Sequence, residues 1–191
     1  GEVLYQLGFL YIEAKQQKKA VQIFENYLST KDKTYVVEVL YQLGFLYIEA
    51  KQQKKAVQIF ENYLSTKDKT YVGEVLYQLG FLYIEAKQQK KAVQIFENYL
   101  STKDKTYVGE VLYQLGFLYI EAKQQKKAVQ IFENYLSTKD KTYMGEVLFR
   151  LGYLYLETKQ AENAVDSFKK YLSLKDKTHV GEVQYQLGFL F

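Results

Sequence analysis

The chain has 191 residues, 48% of them hydrophobic and 25% charged, with a formal net charge of +4. It contains no cysteine, proline or tryptophan, which excludes disulfides and thiolate metal sites and permits long helices throughout. The apolar content is ample for a core, the lysines alternate with acids, and no apolar run approaches the roughly 18 residues that crossing a bilayer takes. Disorder, a basic nucleic-acid face and membrane insertion are therefore not expected. With neither a start methionine nor a signal peptide, the chain reads as a piece of a longer one, and its localisation stays open.

A 36-residue stretch, Gly73–Val108, recurs along the chain. Copies span 1–36, 37–72, 73–108, 109–144 and 145–180, and 181–191 begins a sixth. The first four copies differ only at Val37 and Met144. A period of this length signals a solenoid whose copies stack on their neighbours, and so a single array over 1–191.

Within a copy, the first half (Glu2–Lys15 in the first) places Val3, Leu4, Leu7, Leu10, Tyr11 and Ala14 in one arc of about 120°, the pattern of an amphipathic helix. Tyr5, Phe9 and Ile12 cluster on nearly the opposite side, so this helix expects cover on both faces. Gly8, at the edge of the main arc, admits a close neighbour. In the second half, Ala20, Val21, Ile23, Phe24, Tyr27 and Leu28 share an arc of about 160° and the remaining face is polar.

Between the halves, Lys15–Lys19 reads KQQKK. A turn there makes an antiparallel helical hairpin, although the stretch lacks glycine, proline and asparagine; one unbroken helix through residue 30 is the alternative. Between copies, Ser29–Thr34 reads STKDKT, with Thr34, or else Asp32, as candidate N-cap of the next helix. The fifth copy differs from the third at 14 positions. The changes fall largely on the polar side (Ala161, Glu162, Asn163, Asp166, Lys169, Lys170), while Ser167 replaces an isoleucine at the border of the arc.

The retained residues Leu4, Leu7, Gly8, Tyr11, Ala20 and Phe24 stand at the mutual spacing of the signature positions of the tetratricopeptide repeat (TPR), and the chain resembles that family in all five copies. The phrase KDKTYVGEVLYQLG is also similar to TPR proteins of the bacterial cell envelope. The resemblance implies an all-α fold, an α-solenoid of stacked antiparallel helical hairpins forming a right-handed superhelix with first helices on its concave side. It implies that Glu2, Tyr5, Phe9, Ile12, Glu13 and their equivalents touch ligand. The chain departs from the family in a unit two residues longer than the usual 34, in Tyr27 where TPRs place a small residue, and in Asp32 where they favour proline.

The candidate partner-binding set is therefore the second stripe with its charged edge: Tyr41, Phe45, Ile48 and Glu49; Tyr77, Phe81, Ile84 and Glu85; Tyr113, Phe117, Ile120 and Glu121; and Phe149 and Tyr153, with Leu156 and Glu157 beyond. Phe81 and Phe117 are its expected anchors. An aromatic groove of this kind holds a peptide or helix by periodic anchors; the competing reading is that neighbouring first helices bury the stripe against each other. The sole histidine, His179, reads as a surface linker residue, and no nucleophile, metal-ligand cluster or phosphate loop accompanies it. No catalytic activity and no cofactor are expected. Near-identical copies and an acidic groove edge also argue against base-by-base RNA reading. Two further readings stay open: a designed or amplified array without a natural ligand, and head-to-tail self-association through the repeat ends, with Phe189, Leu190 and Phe191 either covered or frayed.

Overall fold

The computed structural model of the chain describes residues 1–175 and 178–190, and among these it has eleven α-helices and no strand. They are α1 (Glu2–Glu13), α2 (Gln17–Ser29), α3 (Val36–Glu49), α4 (Gln53–Ser65), α5 (Val72–Glu85), α6 (Gln89–Ser101), α7 (Val108–Glu121), α8 (Gln125–Ser137), α9 (Met144–Glu157), α10 (Ala161–Ser173) and α11 (Val180–Leu190). The chain falls into two compact units, Gly1–Lys103 and Asp104–Phe191. In the first, α1 pairs with α2, α3 with α4 and α5 with α6, and each hairpin's first helix rests on the second helix of the hairpin before it. The second unit repeats this with α7–α8, α9–α10 and α11.

The hairpin turn is made without glycine. Lys15 takes a left-handed backbone at φ 55°. Its N–H donates to the Ile12 carbonyl at 2.9 Å, and the Gln16 N–H reaches back to the Tyr11 carbonyl at 2.8 Å. These two bonds form a Schellman motif, which satisfies the last carbonyls of α1 and stops the helix. Lys51, Lys87, Lys123 and Lys159 do the same at φ 56–61°. The unbroken-helix alternative is excluded.

The second helix of each hairpin supplies the largest buried side chains. Ala20, Phe24 and Tyr27 and their equivalents are fully buried, each large one contributing roughly 1.5–3 kcal/mol through removal from water. Gly44 shows why the first helix needs a glycine: a Cβ there would lie 2.2 Å from Cε1 of the Phe60 ring. The main arc of the first helix is buried in α3, where Val39 and Leu43 are 0% exposed, but Ala50, at the helix end, is exposed. Ser167 is a correction to the border position expected of it. It is 3% exposed, and its hydroxyl donates to the Leu148 carbonyl at 3.1 Å, so the polar group is buried with its hydrogen bond made.

The links between hairpins correct the expected caps. Tyr35, not Thr34 or Asp32, is the N-cap of α3, and no side chain caps that helix. Asp32 instead folds the linker, its Oδ1 accepting the Thr34 N–H at 2.8 Å and hydroxyl at 2.6 Å. The Tyr35 N–H donates to the hydroxyl of the buried Tyr27 at 2.7 Å. The same bond joins Tyr71 to Tyr63 and Tyr143 to Tyr135 at 2.7 Å. The large residue at position 27 thus reaches out of the core and takes up an amide at the start of the next helix.

Among the first four linkers, one differs from the other three. Thr30, Thr102 and Thr138 are extended at the ends of their helices, whereas Thr66 stays helical (φ −69°, ψ −20°) and Lys67 turns left-handed at φ 61°. The cause lies in the residue that opens each copy. A Cβ on Gly1 would overlap the Asp32 carboxylate at 1.3 Å, and one on Gly109 would meet that of Asp140 at 2.1 Å. The second copy has Val37 there, so its Asp68 cannot occupy the same place and residues 66–68 take another path.

Candidate functional site

The stripe residues occupy one face of each first helix, and their surroundings decide what they can touch. In the first unit the Tyr41 ring stacks on Tyr71 of the next linker, centroids 4.2 Å apart. Its edge meets Phe45 at 5.0 Å, and Phe45 in turn meets the buried Phe60 at 5.6 Å. Tyr5, Tyr35, Phe9 and Phe24 repeat the chain of rings at 4.1, 5.0 and 5.6 Å. Phe81 likewise contacts Tyr77 at 5.1 Å and Phe96 at 5.5 Å. In the second unit Tyr113 stacks on Tyr143 at 4.0 Å, and Phe117 rests on Phe132 at 5.5 Å. Edge-to-face and offset contacts of this kind add about 0.5–1.5 kcal/mol each beyond area burial.

The stripe is therefore neither bare nor sealed. Tyr41, Phe45, Ile48, Tyr77, Phe81, Ile84, Tyr113, Phe117, Ile120 and Tyr153 are half-buried, and Glu49, Glu85, Glu121 and Glu157 are exposed. Tyr41 and Tyr113 are each covered on one ring face by a tyrosine of the following linker, Tyr71 and Tyr143. Phe149 is the exception at 4% exposed. His179 stacks on it at 3.9 Å, and the Arg150 guanidinium lies 5.6 Å from its ring and 5.5 Å from that of Phe117. Phe149 thus offers no free face. His179, expected on the surface, is packed into this ladder in place of a linker tyrosine.

The surroundings of the stripe disfavour ionisation of its phenols. Burial first, and then the nearby carboxylates of Glu74 and Glu146, push the phenols of Tyr41 and Tyr113 above their ordinary value. Lysines stand beside the glutamate edge. Glu49 shares a cleft of about 620 Å³ with Lys15, Lys18 and Lys19, Glu85 one of about 610 Å³ with Lys51, Lys54 and Lys55, and Glu157 one of about 520 Å³ with Lys123, Lys126 and Lys127. Lys19 and Lys55 also lie over the Tyr11 and Tyr47 rings, 5.4 and 5.3 Å from their centroids, a cation–π contact.

Sequence reasoning missed the tyrosine–glutamate bonds between hairpins. The Tyr47 hydroxyl donates to Glu25, and Tyr83 does so to Glu61; Tyr155 reaches Glu133 at 2.6 Å. Burial, reinforced by the glutamate, raises all three phenols well above 10. The partners stand 22 residues apart, a spacing that carries meaning only once the hairpins are stacked. Among the described residues no group of histidine and carboxylate side chains is arranged to hold a metal ion. Among them, too, no helix is long and apolar enough to cross a membrane.

Residues 2–30, 38–66, 74–102 and 110–138 match one tetratricopeptide repeat model, and residues 145–178 match a second with the same description. The chain belongs to the tetratricopeptide repeat family. Solved TPR-like structures share the fold at low identity. The crystal structure of MamA superposes with a TM-score of 0.64 at 21% identity, covering 86% of this chain and 92% of that one. A MamA fragment from Desulfovibrio magneticus RS-1 gives a TM-score of 0.63 at 17% identity, covering 92% and 97%. YrrB, described as a TPR protein with an unusual peptide-binding site, gives 0.70 at 16% identity, covering 96% and 90%. No curated protein matches the sequence. This TPR chain is an all-α helical-repeat protein of the kind that serves as a protein-interaction scaffold.

Proposed function

We propose that this TPR chain is a non-catalytic scaffold that binds a peptide or helix of a protein partner along the aromatic stripe that the first helices carry within each unit. The observation that carries the reading is the recurrence of half-exposed Ile48, Ile84 and Ile120 beside half-exposed Phe45, Phe81 and Phe117, once per copy. Half-exposed apolar side chains at a fixed period favour a partner with periodic apolar anchors. Support also comes from YrrB, a TPR protein described by its peptide-binding site. Phe149 drops out of the binding set because its ring is covered.

The isoleucines test the reading more cleanly than the phenylalanines, since Phe81 and Phe117 also brace the buried Phe96 and Phe132. Random peptides displayed on phage are selected on the intact array, and the winners are titrated against an Ile48→Glu, Ile84→Glu, Ile120→Glu variant. Affinity is expected to fall at least about tenfold, the size of one lost apolar anchor or more, while the helical spectrum and unfolding midpoint stay close to the parent's. Winners that bind both proteins equally would overturn the assignment of the stripe, and so would a selection that yields none.

A further inference from the structure

One position on the first helices changes charge between copies. Where earlier copies carry Gln42, Gln78 and Gln114, the fifth carries Arg150. Its guanidinium lies over two rings, 5.5 Å from the centroid of Phe117 on α7 and 5.6 Å from that of Phe149 on α9. Its Nε donates to Glu146 Oε1 at 2.7 Å, in the first turn of α9. Arginine suits this place because its planar cation both stacks on aromatic rings and pairs with a carboxylate. The second unit thus holds a cation seat in use, built from a ring of one first helix and a ring and a glutamate of the next.

In the first unit the same positions are Phe45, Tyr77 and Glu74, and again Phe9, Tyr41 and Glu38, with a neutral glutamine in the arginine's place. The framework matches. Tyr77 meets Phe81 at 5.1 Å as Phe149 meets Tyr153 at 5.1 Å, and Phe45 rests on Phe60 at 5.6 Å as Phe117 does on Phe132 at 5.5 Å. The Gln78 amide donates to Glu74 at 3.2 Å, where Arg150 bonds Glu146. After burial, Glu74 is the next influence against ionisation of the Tyr41 phenol, as Glu146 is for Tyr113, where Arg150 acts in the opposite sense. Phe9, Tyr41, Phe45 and Tyr77 are half-buried, whereas Phe149, beside Arg150 and His179, is buried.

We propose, resting on the reading that a partner lies along the stripe, that the partner segment carries arginines among its apolar anchors, and that these are received between Phe45 and Tyr77 beside Glu74, and between Phe9 and Tyr41 beside Glu38, as Arg150 is received between Phe117 and Phe149. The partner is then a cationic amphipathic segment, its charge complementary to the glutamates in the first turns of α3 and α5. The seat of the fifth copy, filled by the chain's own arginine, takes none.

Peptides selected from a random phage library on the intact array serve as probes. They are titrated against the parent, the isoleucine variant above, and a Gln42→Arg, Gln78→Arg, Gln114→Arg variant that repeats the Glu146–Arg150 pairing and keeps its helical spectrum. Winners are expected to carry arginine. Changing that residue to citrulline, which keeps its shape without the charge, should weaken binding to the parent at least about fivefold, the size of one cation–π contact or exposed ion pair. On the arginine variant, whose seats are filled, the arginine peptide should bind at least about fivefold more weakly than on the parent and citrulline should make little difference. Winners that need the isoleucines yet lack arginine, or tolerate citrulline, overturn this inference and leave the stripe as the binding face. A citrulline loss equal on parent and arginine variant puts the arginine elsewhere and overturns it too. Winners indifferent to the isoleucine variant, or a selection that yields none, overturn the stripe reading and this inference together.

Discussion

At Lys15, Lys51, Lys87, Lys123 and Lys159 a side chain occupies a backbone region that glycine adopts without cost. Each left-handed lysine costs about 1 kcal/mol, offset because the two Schellman hydrogen bonds leave no carbonyl stranded at the helix end. Lys51→Gly is therefore expected to stabilise the chain by about 0.5–1 kcal/mol, after allowing for the greater freedom of glycine in the unfolded chain. A urea midpoint that falls rather than rises would show the left-handed turn to be relaxed already. The reverse holds at Gly44, in the body of α3. Alanine would gain about 1 kcal/mol of helix propensity, yet its Cβ would lie 2.2 Å from the Phe60 ring. Overpacking at a fully buried ring wins, and Gly44→Ala is expected to cost about 1–3 kcal/mol net in the same measurement.

At the scale of elements, the link from one hairpin to the next depends on a core residue. Tyr63 is fully buried, yet its hydroxyl accepts the Tyr71 N–H at 2.7 Å, at the N-cap of α5. Tyr63→Phe keeps the packing and leaves that amide without its acceptor, a loss of about 1–2 kcal/mol. Faster exchange at the Tyr71 amide, with α4 still protected, would separate loss of the link from general unfolding. Linker and stripe are also joined: Tyr71 both receives this anchorage and stacks on Tyr41. Loosening the linker thus removes the cover from one ring of the stripe, a direct route from the packing of a hairpin to the surface offered to a partner.

For the molecule as a whole, the buried phenols tie stability to alkaline pH. Burial, partly countered by the hydrogen bond from the Tyr71 N–H, pushes Tyr63 up to about 12 from the ordinary 10.0, and Tyr47, Tyr83 and Tyr155 are raised as well. Below pH 10 these phenols are neutral in folded and unfolded chains alike, and their contribution is fully present. Above it the unfolded chain loses protons that the folded chain still holds, so stability falls as pH rises towards the folded values. In an alkaline titration, part of the tyrosinate absorbance of the 20 tyrosines is expected to appear only together with the loss of helical signal. A single smooth ionisation completed while the helices persist would contradict the burial of these side chains.

Much of this architecture was legible in local spacing. Leu40, Leu43 and Tyr47 fall on one helical face because 3.6 residues make a turn, and that face is buried in α3. The repeat itself announced the stacking of hairpins, and the family signature lay in the residues of the packed faces. Thr34 misled as a cap because the sequence cannot show that Asp32 folds back on it, or that the next amide is taken by a tyrosine eight residues earlier. Ser167 misled because the border of an arc is not a fixed depth in the core. The stripe of Tyr41, Phe45 and Ile48 was visible as a face, but not its exposure.

The sequence by itself determined the helical character of both halves of a copy and the identity of the packed faces, since both follow from periodicities within a single copy, whereas the hairpin turn at Lys15 came from the structure. Only the tertiary structure decided which faces stay open. Whether Tyr41 shows one ring face or two, and whether Phe149 shows any, depends on an aromatic residue 30 positions further along, Tyr71 or His179, held in place by a hydroxyl on yet another helix. Exposure is a property of neighbours in space, and a repeat read one copy at a time does not contain its neighbours.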